Sequence, residues 1–194
     1  MLALRYSRLV EILYWSFHSP TFSEGFAALF FCSFFKYKCL RCVYRHKAYI
    51  KNQHPKFKGP LERHLFHGTT EQASEDICHN NFDPRLAGVN GASHGYGSYF
   101  AIKASTAYDY SAKVGHEDVR YMFLAKVLVG KTVRGKHFYR RPPPINLRLR
   151  QHHLYDSCVD SVNNPNIYVV FDSCQCYPYY LIKCKDIPEE VELS

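Results

Sequence analysis

Leu65-Phe66-His67-Gly68-Thr69-Thr70 is the stretch on which the reading of this chain turns. A short apolar run ends in a histidine and a glycine, and two threonines follow. Leu65, Phe66 and His67 read as the end of a strand. Thr70 offers a side-chain oxygen to cap a helix, with Ala73 and Ile77 four residues apart on one face and a stop near Asn80-Asn81. An imidazole and a flexible glycine at such a junction make a candidate ligand wall. Taken alone, His67 is explained better as a core or turn histidine.

Downstream of this stretch the punctuation is regular. Residues 83–95 hold Pro84, Gly88, Asn90 and Gly91 and read as a loop. Residues 97–101 form a strand entered through Gly95-x-Gly97, and 104–112 a helix. Residues 121–129 are apolar on both faces, which predicts a central strand. Pro142-Pro143-Pro144 imposes an extended loop. Residues 167–171 are β-branched and aromatic, and 179–184 form a last strand. Strands dominate the C-terminal half and do not alternate with helices, so the fold class is α+β.

Upstream the sequence changes character. Residues 25–35 are an unbroken, weakly polar run of eleven, short of the roughly 20 needed to span a bilayer. No small-residue cleavage site follows, only Lys36, Lys38 and Arg41, so a packed helix, or a segment outside any stable fold, is expected in preference to a signal peptide or anchor. From 43 to 60 the composition turns basic and polar and closes on Gly59-Pro60, as a linker or entry helix would. The expected organisation is therefore an unassigned apolar segment (1–42), one domain (43–188) and a short tail (189–194).

The bulk numbers are compatible with that. A chain of 194 residues that is 46% hydrophobic supports one full core and excludes disorder throughout. The net charge of +8 points to an anionic ligand or partner without naming it. Eight cysteines without even spacing read as mostly reduced thiols of an intracellular protein; the expected location is nuclear, cytoplasmic or both. Cys39-x-x-Cys42 with His46 and Cys32 has the ligand types for zinc but the spacing of no common finger, so no metal is expected. Gly95-x-Gly97 lacks the third glycine of a dinucleotide fingerprint and precedes its strand instead of following it. No nucleophile elbow or phosphate-cradling loop is present. Asp156 and Asp160 read as turn residues before an acid–base pair.

The company that His67 keeps changes its reading. The blocks His64-Leu-Phe-His-Gly-Thr-Thr70, Asn81-Phe-Asp-Pro-Arg85, Gly95-Tyr-Gly-Ser-Tyr-Phe-Ala101, Met122-Phe-Leu-Ala-Lys-Val-Leu-Val-Gly130, Arg140-Arg-Pro-Pro-Pro144, Leu154-Tyr-Asp-Ser-Cys-Val-Asp160 and Tyr177-Pro-Tyr-Tyr-Leu-Ile182 occur in that order. Together they resemble the catalytic domain of the poly(ADP-ribose) polymerase superfamily, and within it the mono-ADP-ribosylating subgroup that includes the TCDD-inducible member. The resemblance covers residues 43–188.

The resemblance implies two small, mostly antiparallel sheets flanked by helices around a cleft for NAD, which serves as co-substrate. His67 falls at the position of the histidine that hydrogen-bonds the adenosine ribose, and Gly68 at the glycine whose backbone binds the nicotinamide carboxamide; Thr69 continues that wall. Tyr99 and Tyr110 fall where two aromatics stack on the nicotinamide, and residues 83–95 where a loop covers the donor, with Arg85 placed for phosphate or adenine. Two positions depart from the pattern. Ile167 stands where polymerases carry the glutamate needed for elongation, which implies transfer of a single ADP-ribose unit to protein side chains. Ala107 replaces a serine that donates to the carboxamide, a loss of about 0.5–1.5 kcal/mol, which keeps open the alternative of an inactive NAD- or ADP-ribose-binding relative acting as an interaction module. Acceptor proteins are the expected partners of a monomer; neither nucleic acid nor membrane is indicated.

Overall fold

The computed structural model describes residues 8–14, 26–86, 92–114, 119–146 and 153–186. In chain order the elements are β1 (Arg8–Tyr14), α1 (Phe26–Gln53), β2 (Glu62–Thr69), α2 (Glu71–Asn80), β3 (Ser98–Ala101), α3 (Ala104–Val114), β4 (Val119–Leu128), β5 (Thr132–Arg134), β6 (Ser157–Val159), β7 (Ile167–Val170) and β8 (Cys176–Asp186). Single 3-10 turns occupy Pro84–Leu86 and Ser173–Gln175. The fold is α+β. The tail 189–194 and residues 87–91 of the predicted loop lie outside the described residues.

The strands run in the order β1-β8-β4-β2-β3-β7-β6-β5, antiparallel throughout except for β5 on β6. The order is hydrogen-bonded from end to end, yet it is two half-sheets. β2 pairs with β4 over eight residues, whereas β2 meets β3 only at Phe66↔Ala101. Where two small sheets are expected, the structure has one eight-stranded sheet, whose halves β1-β8-β4-β2 and β3-β7-β6-β5 join at one residue pair, a hinge. β4 lies between β2 and β8, and Ala125, Val127 and Leu128 on it are fully buried, as its two-faced apolar run predicts.

Three packed clusters hold the layers. Phe82, Phe100 and Phe123 centre the largest, with Leu65 and Val170, and so bridge both half-sheets. Ala101, Ala107, Tyr108 and Met122 seat α3 on the other face. Val43 and Ile50, seven residues apart and so on one side of α1, pack on Leu128 and Tyr177. A single helix therefore runs through the change of composition at 42–43, and its C-terminal part belongs to the core. Just past its end, His54 Nε2 lies 3.2 Å from Asp156 Oδ2, both side chains buried. Among the described residues no helix is long and apolar enough to cross a membrane.

α2 starts where the sequence says. Thr70 Oγ1 accepts from Ala73 N at 3.2 Å, and the helix ends on Asn81, whose N–H donates to Ile77 O and whose φ of 65° turns the following chain out of the helix. Asn81 then donates through Nδ2 to Ser173 O and Cys176 O, tying α2 to the start of β8.

Candidate active site

β2 and β3 part immediately after Phe66↔Ala101. Continued pairing would set His67 opposite Phe100 and Gly68 opposite Tyr99. Instead the His67 ring fills the gap: Nδ1–H donates to the Tyr99 carbonyl at 2.7 Å, in place of a ladder bond. That bond fixes the tautomer, since a carbonyl can only accept, and leaves Nε2 as the acceptor of a neutral imidazole. Burial pushes the His67 pKa below the ordinary 6.5, opposed in part by the Tyr99 carbonyl. The ring sits edge-on to Phe82 at 5.1 Å and near Phe100 at 5.5 Å, so its orientation is locked by packing as well.

Gly68 is buried, and a Cβ there would lie 1.9 Å from Ala107 O and 3.0 Å from Ser111 N. The absent side chain is what lets α3 lie against β2. Ala107 and Ser111 form the contacting face at i and i+4, which places Tyr110 at the edge of the same face, 36% exposed. Ser111 Oγ donates to Thr69 O at 2.8 Å and accepts from Tyr121 N at 3.3 Å, joining α3, β2 and β4 behind the glycine. Ser111 was not singled out from sequence; its position four residues after Ala107 is the signal that could have found it. Ala107 is 3% exposed, and its carbonyl, not a hydroxyl, faces Gly68.

Tyr99 is held from its far end. Its hydroxyl donates to Gly95 O and accepts from His94 N, each at 2.9 Å, and burial raises its pKa despite the His94 amide. Gly95 has φ +122°, a conformation that favours glycine, and Gly97 lies so close to Val170 O that a Cβ would sit 2.4 Å from it. The Gly95-x-Gly97 pair is therefore the mount for Tyr99.

Ile167 heads β7 in register with Ala101, so Phe66, Ala101 and Ile167 form one line across the hinge. Its side chain packs on the Ala101–Met122 cluster. Asp160 accepts from Asn166 N at 3.0 Å and Ile167 N at 3.1 Å; burial pushes its pKa up, but these backbone amides more than offset that and hold it low. Asp156 accepts from Lys131 N at 2.6 Å. Asp160 thus serves a turn, as its sequence context suggests, whereas Asp156 is a buried tie between segments, accepting from Lys131 N and facing His54. Cys158, fully buried on β6, has its thiol pushed up to about 12 by burial, which removes it as a nucleophile.

Arg85 stands apart from the hinge. Its Nε and Nη2 fork the Asp83 carboxylate at 2.7–3.0 Å, with the guanidinium largely in solvent. Among the described residues no three His, Cys, Asp or Glu side chains gather as a metal site. The structure thus brings His67, Gly68, Thr69, Tyr99 and Ile167 to the hinge, sets Tyr110 on the helix beside it, and leaves Arg85 on the rim turn.

Comparison with known proteins places this arrangement. The profile described as "Poly(ADP-ribose) polymerase catalytic domain" matches residues 31–186. The chain is 47% identical over 122 residues to the protein mono-ADP-ribosyltransferase PARP12 of Mus musculus, covering 63% of this chain and 17% of that one. It is 46% identical over 122 residues to the Homo sapiens PARP12, again over 63% of this chain and 17% of the other. It is 41% identical over 143 residues to the mono-ADP-ribosyltransferase PARP11 of Mus musculus, covering 62% of this chain and 41% of that one. The chain therefore spans less than half the length of these relatives. With the profile running from the second turn of α1 to the end of β8, across the hinge and every strand but β1, this chain belongs to the poly(ADP-ribose) polymerase catalytic-domain family.

Proposed function

We propose that the chain is an NAD-dependent mono-ADP-ribosyltransferase that moves one ADP-ribose from NAD to a protein side chain and releases nicotinamide. The observation that carries the single-transfer reading is Ile167. It occupies the head of β7, in line with the hinge, and packs among apolar side chains. An isoleucine offers no acceptor to orient or deprotonate a ribose hydroxyl, so a second sugar has no base there.

In this reading the neutral His67 accepts a ribose O–H at Nε2, because Nδ1–H is committed to Tyr99 O. Gly68 supplies backbone N–H and C=O to the carboxamide, with Thr69 continuing the wall, and Tyr99 and Tyr110 take the two faces of the nicotinamide ring. Arg85 meets the diphosphate once it exchanges Asp83 for it. The glycosidic bond to nicotinamide breaks through an oxocarbenium-like state with a neutral leaving group, and the acceptor atom adds to the anomeric carbon. The catalytic unit is taken as 43–188 with the rest of α1 leading into it, acting as a monomer on intracellular acceptor proteins, in the nucleus or cytoplasm.

The buried methyl of Ala107 favours a second reading, an NAD- or ADP-ribose-binding relative without turnover. One experiment separates the two. The protein is incubated with NAD and a cell extract, and intact mass and free nicotinamide are measured. Single ADP-ribosyl additions with nicotinamide release are expected. NAD binding by calorimetry without either product would establish the second reading, and polymer from the unaltered protein would overturn the role given to Ile167. Polymer from Ile167→Glu would support that role directly.

A further inference from the structure

The positive charge of the chain lies in two acid-free stretches. Residues 25–61 contain eight lysines and arginines and residues 119–155 nine, with no aspartate or glutamate in either; the rest carries eight cations against all seventeen carboxylates. Part of this charge is used internally, since Lys126 lies 3.2 Å from Glu62. Arg134, Lys136, Arg140 and Arg141 are all exposed, and none has a carboxylate partner among the described residues. The chain that follows, 147–152, adds two more arginines and no acid.

Aromatic rings are interleaved with these cations. Phe138 is 58% exposed, edge-on to His137 at 5.3 Å and to Tyr139 at 5.0 Å, with Lys136 Nζ 5.8 Å from its centroid. The Arg140 guanidinium lies 4.4 Å over Tyr96. Phe138 belongs to none of the three core clusters, so folding gives no reason for it. The backbone beneath is fixed. Gly135 N donates to Val159 O at 2.8 Å, Tyr139 N to Lys136 O at 3.0 Å, and Tyr96 N to Tyr139 O at 2.7 Å. A rigid loop loses little freedom on binding.

We propose that residues 131–141, centred on Phe138, form a contact face for single-stranded nucleic acid. Unpaired cations spaced along one loop neutralise successive phosphates, and an exposed ring stacks an unpaired base whatever its identity. An acidic peptide would satisfy the cations but leave Phe138 idle. A duplex would do the same, because its bases are already stacked on one another. RNA and DNA single strands share the recognised chemistry. The inference does not depend on the donor reaction. It gives the chain's charge a partner that the family resemblance does not indicate.

The test is fluorescence anisotropy on the full chain with labelled oligouridylate and oligothymidylate of about twelve nucleotides, a blunt DNA duplex, and polyglutamate. Oligouridylate binding should weaken with salt between about 50 and about 200 mM, with a log–log slope near −3 for about four phosphate contacts. Phe138→Ala should weaken it about five- to a hundredfold. Lys136→Gln with Arg141→Gln should make the slope shallower by about 1.4. Equal binding of the two single strands supports the face as described, and a preference for RNA supports it with an added 2′-hydroxyl contact. No binding at low salt, duplex or polyglutamate bound as tightly as oligouridylate, or indifference to Phe138→Ala in a variant with an unchanged melting profile would overturn it.

Discussion

At the scale of the residue, Gly68 does two things that are separable. Its backbone is the proposed partner of a carboxamide, and its missing side chain admits the Ala107 carbonyl of α3, which a Cβ would meet at 1.9 Å. Because the obstructing atom is backbone, Gly68→Ala must displace the helix. It should cost about 1–3 kcal/mol of stability by overpacking, read by chemical denaturation, in addition to any loss of donor binding. A variant as stable as the parent would mean that α3 does not sit as described. His67 makes a pH prediction. Its folded pKa is lowered by burial, so between that value and the ordinary 6.5 the unfolded chain binds more protons than the folded one. Its contribution to stability is therefore intact above 6.5 and is lost as the pH falls below it. Thermal melts should decline from pH 7.5 to pH 5.5 (about neutral to about one unit below the imidazole range), and His67→Phe should flatten that decline.

At the scale of the element, what sequence discloses and what it hides divide along physical lines. α2 is legible because its start and stop are chemical: Thr70 caps Ala73 N, and Asn81 takes the left-handed exit. Thr70→Ala should cost about 1 kcal/mol. β4 is legible because burial on both faces leaves an unbroken apolar run. β5 and β6 are three residues each, too short for any period, and exist because β6 is paired on both sides. β1 is equally invisible, a strand whose partner among the described residues, β8, lies more than 160 residues away in sequence. The continuity of α1 across the composition change at 42–43 was hidden for another reason. Among its described side chains the fully buried ones are Val43 and Ile50, two apolar residues in a basic, polar stretch. Ile50 is fully buried, so Ile50→Ala should cost about 2–5 kcal/mol in urea titration. A loss below about 0.5 kcal/mol, typical of surface substitutions, would make α1 an accessory to the domain instead of part of its core. Of the candidate site, His67, Gly68 and Tyr99 were readable through family resemblance. The Ser111 tie and the half-sheet hinge were not, because each depends on contacts between strands and helices distant in sequence.

At the scale of the whole molecule, the hinge decides what a bound donor should do. The half-sheets share the aromatic core of Phe82, Phe100 and Phe123, but their hydrogen-bonded seam is the pair Phe66↔Ala101 and the bond from His67 to Tyr99 O. Backbone beyond that pair, from His67 to Thr69 on β2 and at Tyr99 on β3, lacks the cross-strand ladder that β4 gives β2 on its other side. A ligand that takes Gly68 backbone groups and stacks on Tyr99 touches both half-sheets at once and supplies the missing seam. It binds only the folded chain, so at about one hundred times its dissociation constant it should add about 2.7 kcal/mol. For a chain of this length that corresponds to a rise in melting temperature of about 5–11 °C. The rise alone would follow from any ligand, so its location matters more. Amide exchange at Gly68, Thr69 and Tyr99 should slow on adding NAD, while exchange along the β4–β8 ladder, already paired over nine residues, should slow only by the global increment. Tyr99→Ala should remove the local slowing and most of the melting shift together. Uniform protection with no excess at the hinge would place the donor elsewhere on the fold, and the roles of Gly68 and Tyr99 would have to be reassigned.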